Sequence, residues 1–247
     1  MRNFKTVIWM MLLFLMGTMT VFSVVPEDLE FRFQNANKAM IEKDYAFAIG
    51  NYAECLEERE SANLHHNIGI ASYLNGETGL AILHLEKTSR MSMSAVSSQE
   101  VLSLIRRSEG ISNPRYGVIQ QMTRSLPEVV WMALVLVGFW GMLIFGGYIY
   151  FMVKRASVYR DLAIFSFLIF LLAVTACFGL YEDNRFGVLI AKENGLKVIP
   201  TQESEAFLKL KGGETVKLIR ENNGFVFVET SSRARGWISA EQFRLIR

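Results

Sequence analysis

The chain has 247 residues, 51% of them apolar, and a formal net charge of +2. So even a charge balance gives no argument for a nucleic-acid partner, and none is expected. Its two cysteines, Cys55 and Cys177, fall in different segments, which excludes a disulfide framework and leaves them as small buried apolar residues.

Arg2 and Lys5 precede an apolar run over residues 7–22, and Val21-Phe22-Ser23 closes it. This is the outline of a secretory signal over residues 1–25, cleaved or kept as an anchor. Either outcome delivers the chain from Pro26 onward to the outside.

Residues 26–108 have helical periodicity and repeat themselves. Ala36, Ala48, Tyr52 and Cys55 are followed 33 residues later by Gly69, Ala81, Leu85 and Thr88. Each block predicts a helix with a small residue, a turn (Glu42-Lys43-Asp44, then Asn75-Gly76-Glu77) and a second helix opened by Ala-Ile. Small residues at matched places let antiparallel helices touch. The pattern resembles the tetratricopeptide repeat, whose units run about 34 residues. Two such units need a further covering helix, and residues 99–108, capped by Ser98, supply one after a loop over 91–98. The resemblance implies a concave face on the first helices that binds extended peptides or partner helices. Phe33, Asn37, Met40, His66, Asn67, Ile70 and Tyr73 would line it. Asn37 and Asn67 stand where some family members hold a peptide carboxylate, but Phe33 replaces a lysine of that clamp. The same asparagines also suit backbone contacts or water. His65, His66 and His84 read as surface or groove histidines, since no metal-ligand spacing accompanies them.

Residues 109–128 hold Gly110, Ser112, Asn113, Pro114 and Gly117, all helix breakers, and predict a linker. Residues 129–153 and 162–181 are then two uncharged apolar runs, each long enough to span a bilayer, which takes about 20 residues. Between them, residues 154–161 carry Lys154, Arg155 and Arg160 against Asp161, so this loop is expected in the cytoplasm and both flanking segments outside. Trp131 and Tyr181 are expected at the outer interface, Tyr148 and Tyr150 at the inner one. Gly138, Gly141, Gly146 and Gly147 suit close packing within the hairpin or against a partner helix. The hairpin leaves about 100 residues before it and about 65 after, each able to hold one small core.

Residues 182–247 change to strand patterning. Leu196-Lys197-Val198-Ile199, residues 215–219 and residues 225–228 predict strands, with turn signals between them. Asn223-Gly224 is a strong hairpin signal, and several short strands predict a small all-β barrel. Val198-Ile199-Pro200-Thr201, Gly213, Asn223-Gly224-Phe225, Gly236-Trp237-Ile238 and Phe243 together resemble a bacterial SH3-like domain. Phe225 stands where that family usually has tryptophan. Trp237 is either a packing residue or, with Phe225, a ligand face. No tyrosine follows Tyr181, so proline-rich ligands are not expected.

The order of parts describes a multidomain membrane protein: α-helical TPR-like hairpins, a two-helix transmembrane hairpin and a small all-β SH3-like barrel. This order resembles the BatE family of the Bacteroides aerotolerance operon. That resemblance implies a bacterial inner-membrane scaffold with both folded ends periplasmic. Its partners would be membrane or periplasmic proteins, including von Willebrand factor A proteins and a MoxR-type ATPase system. A cell-wall tether gripping peptidoglycan through the SH3-like domain is the alternative. No phosphate loop, nucleophile motif or metal-ligand spacing occurs, so the sequence predicts no enzyme, cofactor or metal.

Overall fold

The computed structural model describes residues 27–91, 96–114, 116–124, 126, 128–151 and 156–246. The expected signal segment and the basic pair Lys154-Arg155 lie outside the described residues. Among the described residues five helices come first: α1 Glu27–Glu42, α2 Tyr45–Glu58, α3 Ala62–Leu74, α4 Thr78–Met91 and α5 Val96–Glu109. Asp44 accepts the Phe47 amide at 3.2 Å and Ser61 the Leu64 amide at 3.2 Å, so each opens its helix as an N-cap. The two predicted turns reverse the chain through Lys43 and Gly76, at φ 64° and 80°. All eight residues matched at the 33-residue spacing are buried. At Gly69 a Cβ would lie 2.8 Å from Leu85 Cγ, which is why a small residue is needed where α3 crosses α4.

Three expectations change here. Helix α5 starts at Val96, so Ser98 is buried inside it and is not its cap; residues 92–95 of the expected loop lie outside the described residues. The expected linker is packed: Ile111 joins the core, and α6, Val118–Thr123, buries Thr123. Trp131 is buried, and its Nε1 donates to the Thr123 carbonyl at 2.9 Å, so it fastens α6 instead of lying in an interfacial belt.

Helices α7, Glu128–Phe151, and α8, Ala156–Asp183, form the apolar hairpin. Residues 156–161, expected as loop, open α8, because nothing in them breaks a helix. Both helices are long and apolar enough to cross a membrane, with mean hydropathy 2.3 and 2.5. Only 11% and 22% of their most apolar windows are buried, unlike the core helix of a soluble protein. Gly138 lies against the Phe170 backbone and Gly141 against Ser166 Oγ, so these two glycines pack the hairpin. Gly146 and Gly147 meet nothing within 4 Å.

Seven antiparallel strands complete the fold: β1 Phe186–Leu189, β2 Glu193–Lys197, β3 Ala206–Lys211, β4 Thr215–Asn222, β5 Phe225–Glu229, β6 Arg235–Ser239 and β7 Phe243–Leu245. Their order is β3-β2-β6-β5-β4-β1-β7. Asn223 and Gly224, at φ 45° and 78°, make the predicted two-residue turn, with Asn222 opposite Phe225. Leu196 and Leu210 from one end of the sheet share a core with Leu189 and Phe243 from the other, so the sheet curls around its own interior. Val198 and Ile199, expected in a strand, lie beyond β2 and are exposed.

Strand β1 was not predicted. Its four residues are all buried, because both of its faces are covered. Leu189 points into the sheet's interior. Phe186 and Val188, with Ile246, pack on Ile82, Leu85, Leu102, Ile105 and Ile111 of the helical part. A strand covered on both sides shows no apolar–polar alternation. The two parts therefore share one core. At its edge Gly79 lies so close that a Cβ would fall 2.6 Å from the Leu189 carbonyl oxygen and 2.7 Å from Ile190 Cα.

Those neighbours are backbone atoms and cannot yield as a side chain would. Gly79→Ala should therefore destabilise the chain by about 1–3 kcal/mol, read as a lower unfolding temperature in detergent. Gly50→Ala, in the open interior of α2, should instead stabilise the chain by about 0.5–1 kcal/mol and raise that temperature.

Candidate functional site

The seven residues predicted for the concave face lie on α1 and α3, and all are half-buried. Their polar groups are engaged by neighbouring helices. The Tyr52 hydroxyl of α2 donates to Asn37 Oδ1 at 2.6 Å, and the Asn67 side chain also hydrogen-bonds that tyrosine. Phe33 packs on the Tyr52 ring, centroids 5.8 Å apart. His66 Nδ1 pairs with Ser98 Oγ at 2.7 Å, and the Tyr73 and Ser108 hydroxyls are 3.2 Å apart. The structure thus brings Asn37 and Asn67 together around Tyr52, and joins His66 and Tyr73 to α5. Met40 and Ile70 remain as half-exposed apolar contacts.

On the sheet, Trp237 is only 6% exposed. Its ring lies 5.0 Å from that of Phe227, and the Arg220 guanidinium sits 5.0 Å from both centroids. Phe225 shares the Phe227 side of β5 and is half-buried. Trp237 is thus a covered packing residue, and Phe225 is the more accessible of the two.

The histidines depart from the sequence reading. His65 is fully buried. Its Nε2 donates to Glu60 Oε1 at 3.0 Å, so in the neutral ring Nδ1 accepts from His84 Nδ1 at 2.9 Å. Burial, with the nearby His65 and Lys87, pushes His84 down to about 4. No group of three metal-ligating side chains occurs among the described residues.

The most connected polar site was not predicted at all. Glu86 of α4 is buried, with Oε1 2.7 Å from Arg106 Nη2 and Oε2 3.0 Å from Arg124 Nη2. Arg124 Nε in turn lies 3.0 Å from Asp183 Oδ2, at the end of α8. Arg90 donates to Asp183, 3.2 Å away, and to the Ile246 carbonyl. Arg106 Nη2 also donates to Thr215 Oγ1 on β4 at 2.9 Å. Tyr116 donates to Glu86 at 3.4 Å, and its ring carries the Arg124 guanidinium 3.8 Å above its centroid. One cluster therefore joins the helical part, the segment before α7, the end of α8 and the sheet. Burial pushes the Glu86 carboxyl up, but Arg124 and Arg106 outweigh it and hold the group down at about 2. A signal existed: Arg106 falls on the same helical face as Leu102 and Ile105, a position at which an arginine must find a buried partner.

The sequence model of the Variant SH3 domain family matches residues 197–246, from the end of β2 onward. Comparison with curated proteins and with solved structures found no match. The matched segment covers β3 to β7 and the last residue of β2, which supports a protein-binding module at this end of the chain. Strand β1 lies before the matched segment.

Removing the Glu86 charge leaves the buried Arg106 guanidinium without its carboxylate and takes one of two carboxylates from the half-buried Arg124. Glu86→Gln should cost about 3–5 kcal/mol, seen as a lower unfolding temperature. Acid should act in two stages. Because the folded His84 value lies below 6.5, the unfolded chain takes up its proton first, and stability falls as pH drops from 6.5 to 4. The slope is at most about 1.4 kcal/mol per pH unit for each such group. The Glu86 contribution is complete above 4.5 and is lost as pH falls toward 2. A pH series of unfolding midpoints checks both stages, and His84→Gln should flatten the first.

Proposed function

We propose that this chain is a non-enzymatic, membrane-anchored scaffold that holds partner proteins with its helical hairpins and its SH3-like domain on one face of the bilayer. The observation that carries this reading is the bond between Arg124, just before α7, and Asp183, at the end of α8, at 3.0 Å. Both folded parts are built at the same mouth of the apolar hairpin. The cations Lys154, Arg155 and Arg160, which lie between the two apolar runs in the sequence, favour a cytoplasmic position for that end of the hairpin. The mouth then faces the periplasm of a bacterial inner membrane, in accord with the signal-like residues 1–25.

The SH3-like match supports protein binding. The resemblance of the whole arrangement to the BatE family supports partners of the von Willebrand factor A and MoxR-type ATPase systems, and a role in aerotolerance. The charged groups gathered at the hub bond mainly to one another, which favours a structural use over turnover. For the peptidoglycan alternative, the covered ring of Trp237 offers less support than an open aromatic platform would.

A photo-crosslinking residue at Met40, Ile70 or Phe225 should trap integral-membrane partners in cells, and Ile70→Asp should reduce capture through the helical face. Alkaline phosphatase fused after Ile246 should be active. A cytoplasmic-only reporter would overturn the topology, and sedimentation of the chain with purified peptidoglycan, lost in Trp237→Ala, would replace the scaffold with the tether.

A further inference from the structure

Helix α6 carries its apolar and polar residues on opposite sides. At about 100° per residue, Val118, Met122 and Ile119 fall along one edge with Thr123 beside them, and Gln120 and Gln121 fall on the other. The fold keeps that division. Gln120 and Gln121, with Tyr116, line a cleft of about 600 Å³ whose far wall is Phe186, Thr215 and Lys217 of the sheet. Thr123 is buried, whereas Val118, Ile119 and Met122 are 83%, 52% and 44% exposed. The glutamine side thus borders the cleft toward the sheet, and the apolar edge is turned away from it.

The depth of α6 along the hairpin is fixed by two contacts. Ile119 and Thr123 pack on Gly179 of α8, where a Cβ would fall 2.8 Å from the Cγ2 of each. Gly179 lies about one helical turn short of Asp183. The Thr123 carbonyl accepts from Trp131, in the first turn of α7. Gly179 and Trp131 both belong to the uncharged runs, and charges first appear beyond them, at Glu128 on α7 and at Glu182 and Asp183 on α8. Helix α6 therefore lies against the hairpin inside its apolar length.

What surrounds the hairpin at that depth also meets α6. From Tyr116 to Thr123 the chain carries no charge. The next residue, Arg124, is turned to Glu86 and Asp183, so its cation does not interrupt the edge. Phe178, next to Gly179, and Val129, near Trp131, are exposed at the same end of the hairpin. The apolar edge of α6 thus extends the surface by which the hairpin suits lipid. An apolar edge backed by a polar side is the pattern of a helix lying in the interface between acyl chains and headgroups.

We propose that the edge formed by Val118, Ile119 and Met122 lies in the bilayer, at the boundary between acyl chains and headgroups, as a lipid contact additional to the two hairpin helices. The proposal rests on the membrane-anchored reading, whichever side the hairpin mouth faces. The test uses the full chain in phosphatidylcholine nanodiscs, with a fluorescent amino acid placed in turn at Val118, Gln121 or Val137. Val118 is open enough to carry the probe, and Val137 is an exposed position well inside α7. Emission is followed with a nitroxide carried on the lipid acyl chains and with a charged nitroxide in the water. The probe at 118 should lose about half of its emission or more to the lipid nitroxide, within about twofold of the loss at 137, and little to the aqueous one. The probe at 121 should show the reverse. Lipid quenching at 137 but not at 118 overturns the proposal and leaves the anchor standing. The edge then belongs to a protein partner if the aqueous nitroxide reaches it, and to a second copy if neither does. Equal lipid quenching at 118 and 121 also overturns it. No lipid quenching at 137 refutes the anchored reading and the proposal with it.

Discussion

The structure depends on a buried carboxylate. Glu86 stands buried inside the helical part, and it is held there by guanidiniums from two different segments, Arg106 and Arg124. Arg124 then reaches Asp183, and Arg90 ties Asp183 to Ile246, just past the last strand. Buried ion pairs seldom add much net stability, because desolvation offsets their attraction. What they do well is penalise every other arrangement, since any shift that parts them leaves a charge alone in the interior. Here that penalty applies at once to the helical hairpins, the segment before α7, the end of α8 and the sheet.

Apolar contact and close backbone approach reinforce the same junction. Phe186 and Val188 turn one side of β1 toward Ile82, Leu85 and Leu102, while Leu189 turns inward. Gly79 allows α4 to meet the β1 backbone at a distance no side chain would permit. On the scaffold reading proposed above, such a junction holds the helical part and the sheet in a set orientation, so a partner that engages both does not have to order a flexible tether first.

Features governed by neighbours in the chain were legible in the sequence. The Asn223-Gly224 turn, the small residues at 33-residue spacing and the length of the apolar runs all reappear. Features governed by what covers a residue were not. Residues 109–128 contain every sign of a loose connector, yet Ile111, Thr123 and Arg124 are drawn in by surfaces that other segments supply. Asn37 and Asn67 were placed on a shared face, but nothing local marks Tyr52 as the residue that occupies them both. Trp131 carried the look of an interfacial anchor until α6 covered it.

By itself the sequence determined the turns at Lys43, Gly76 and Asn223-Gly224, the paired helices around the first two, and which two stretches suit a bilayer. Turn geometry, helical period and hydrophobic length act over a few residues or add along a run. Only the tertiary structure decided that Arg106 would meet both Glu86 and Thr215, the latter 109 positions away. It likewise decided that β1 would be buried on both sides and that His65 would hold His84. Such pairings depend on which surfaces exclude water together, and that is set once distant segments pack.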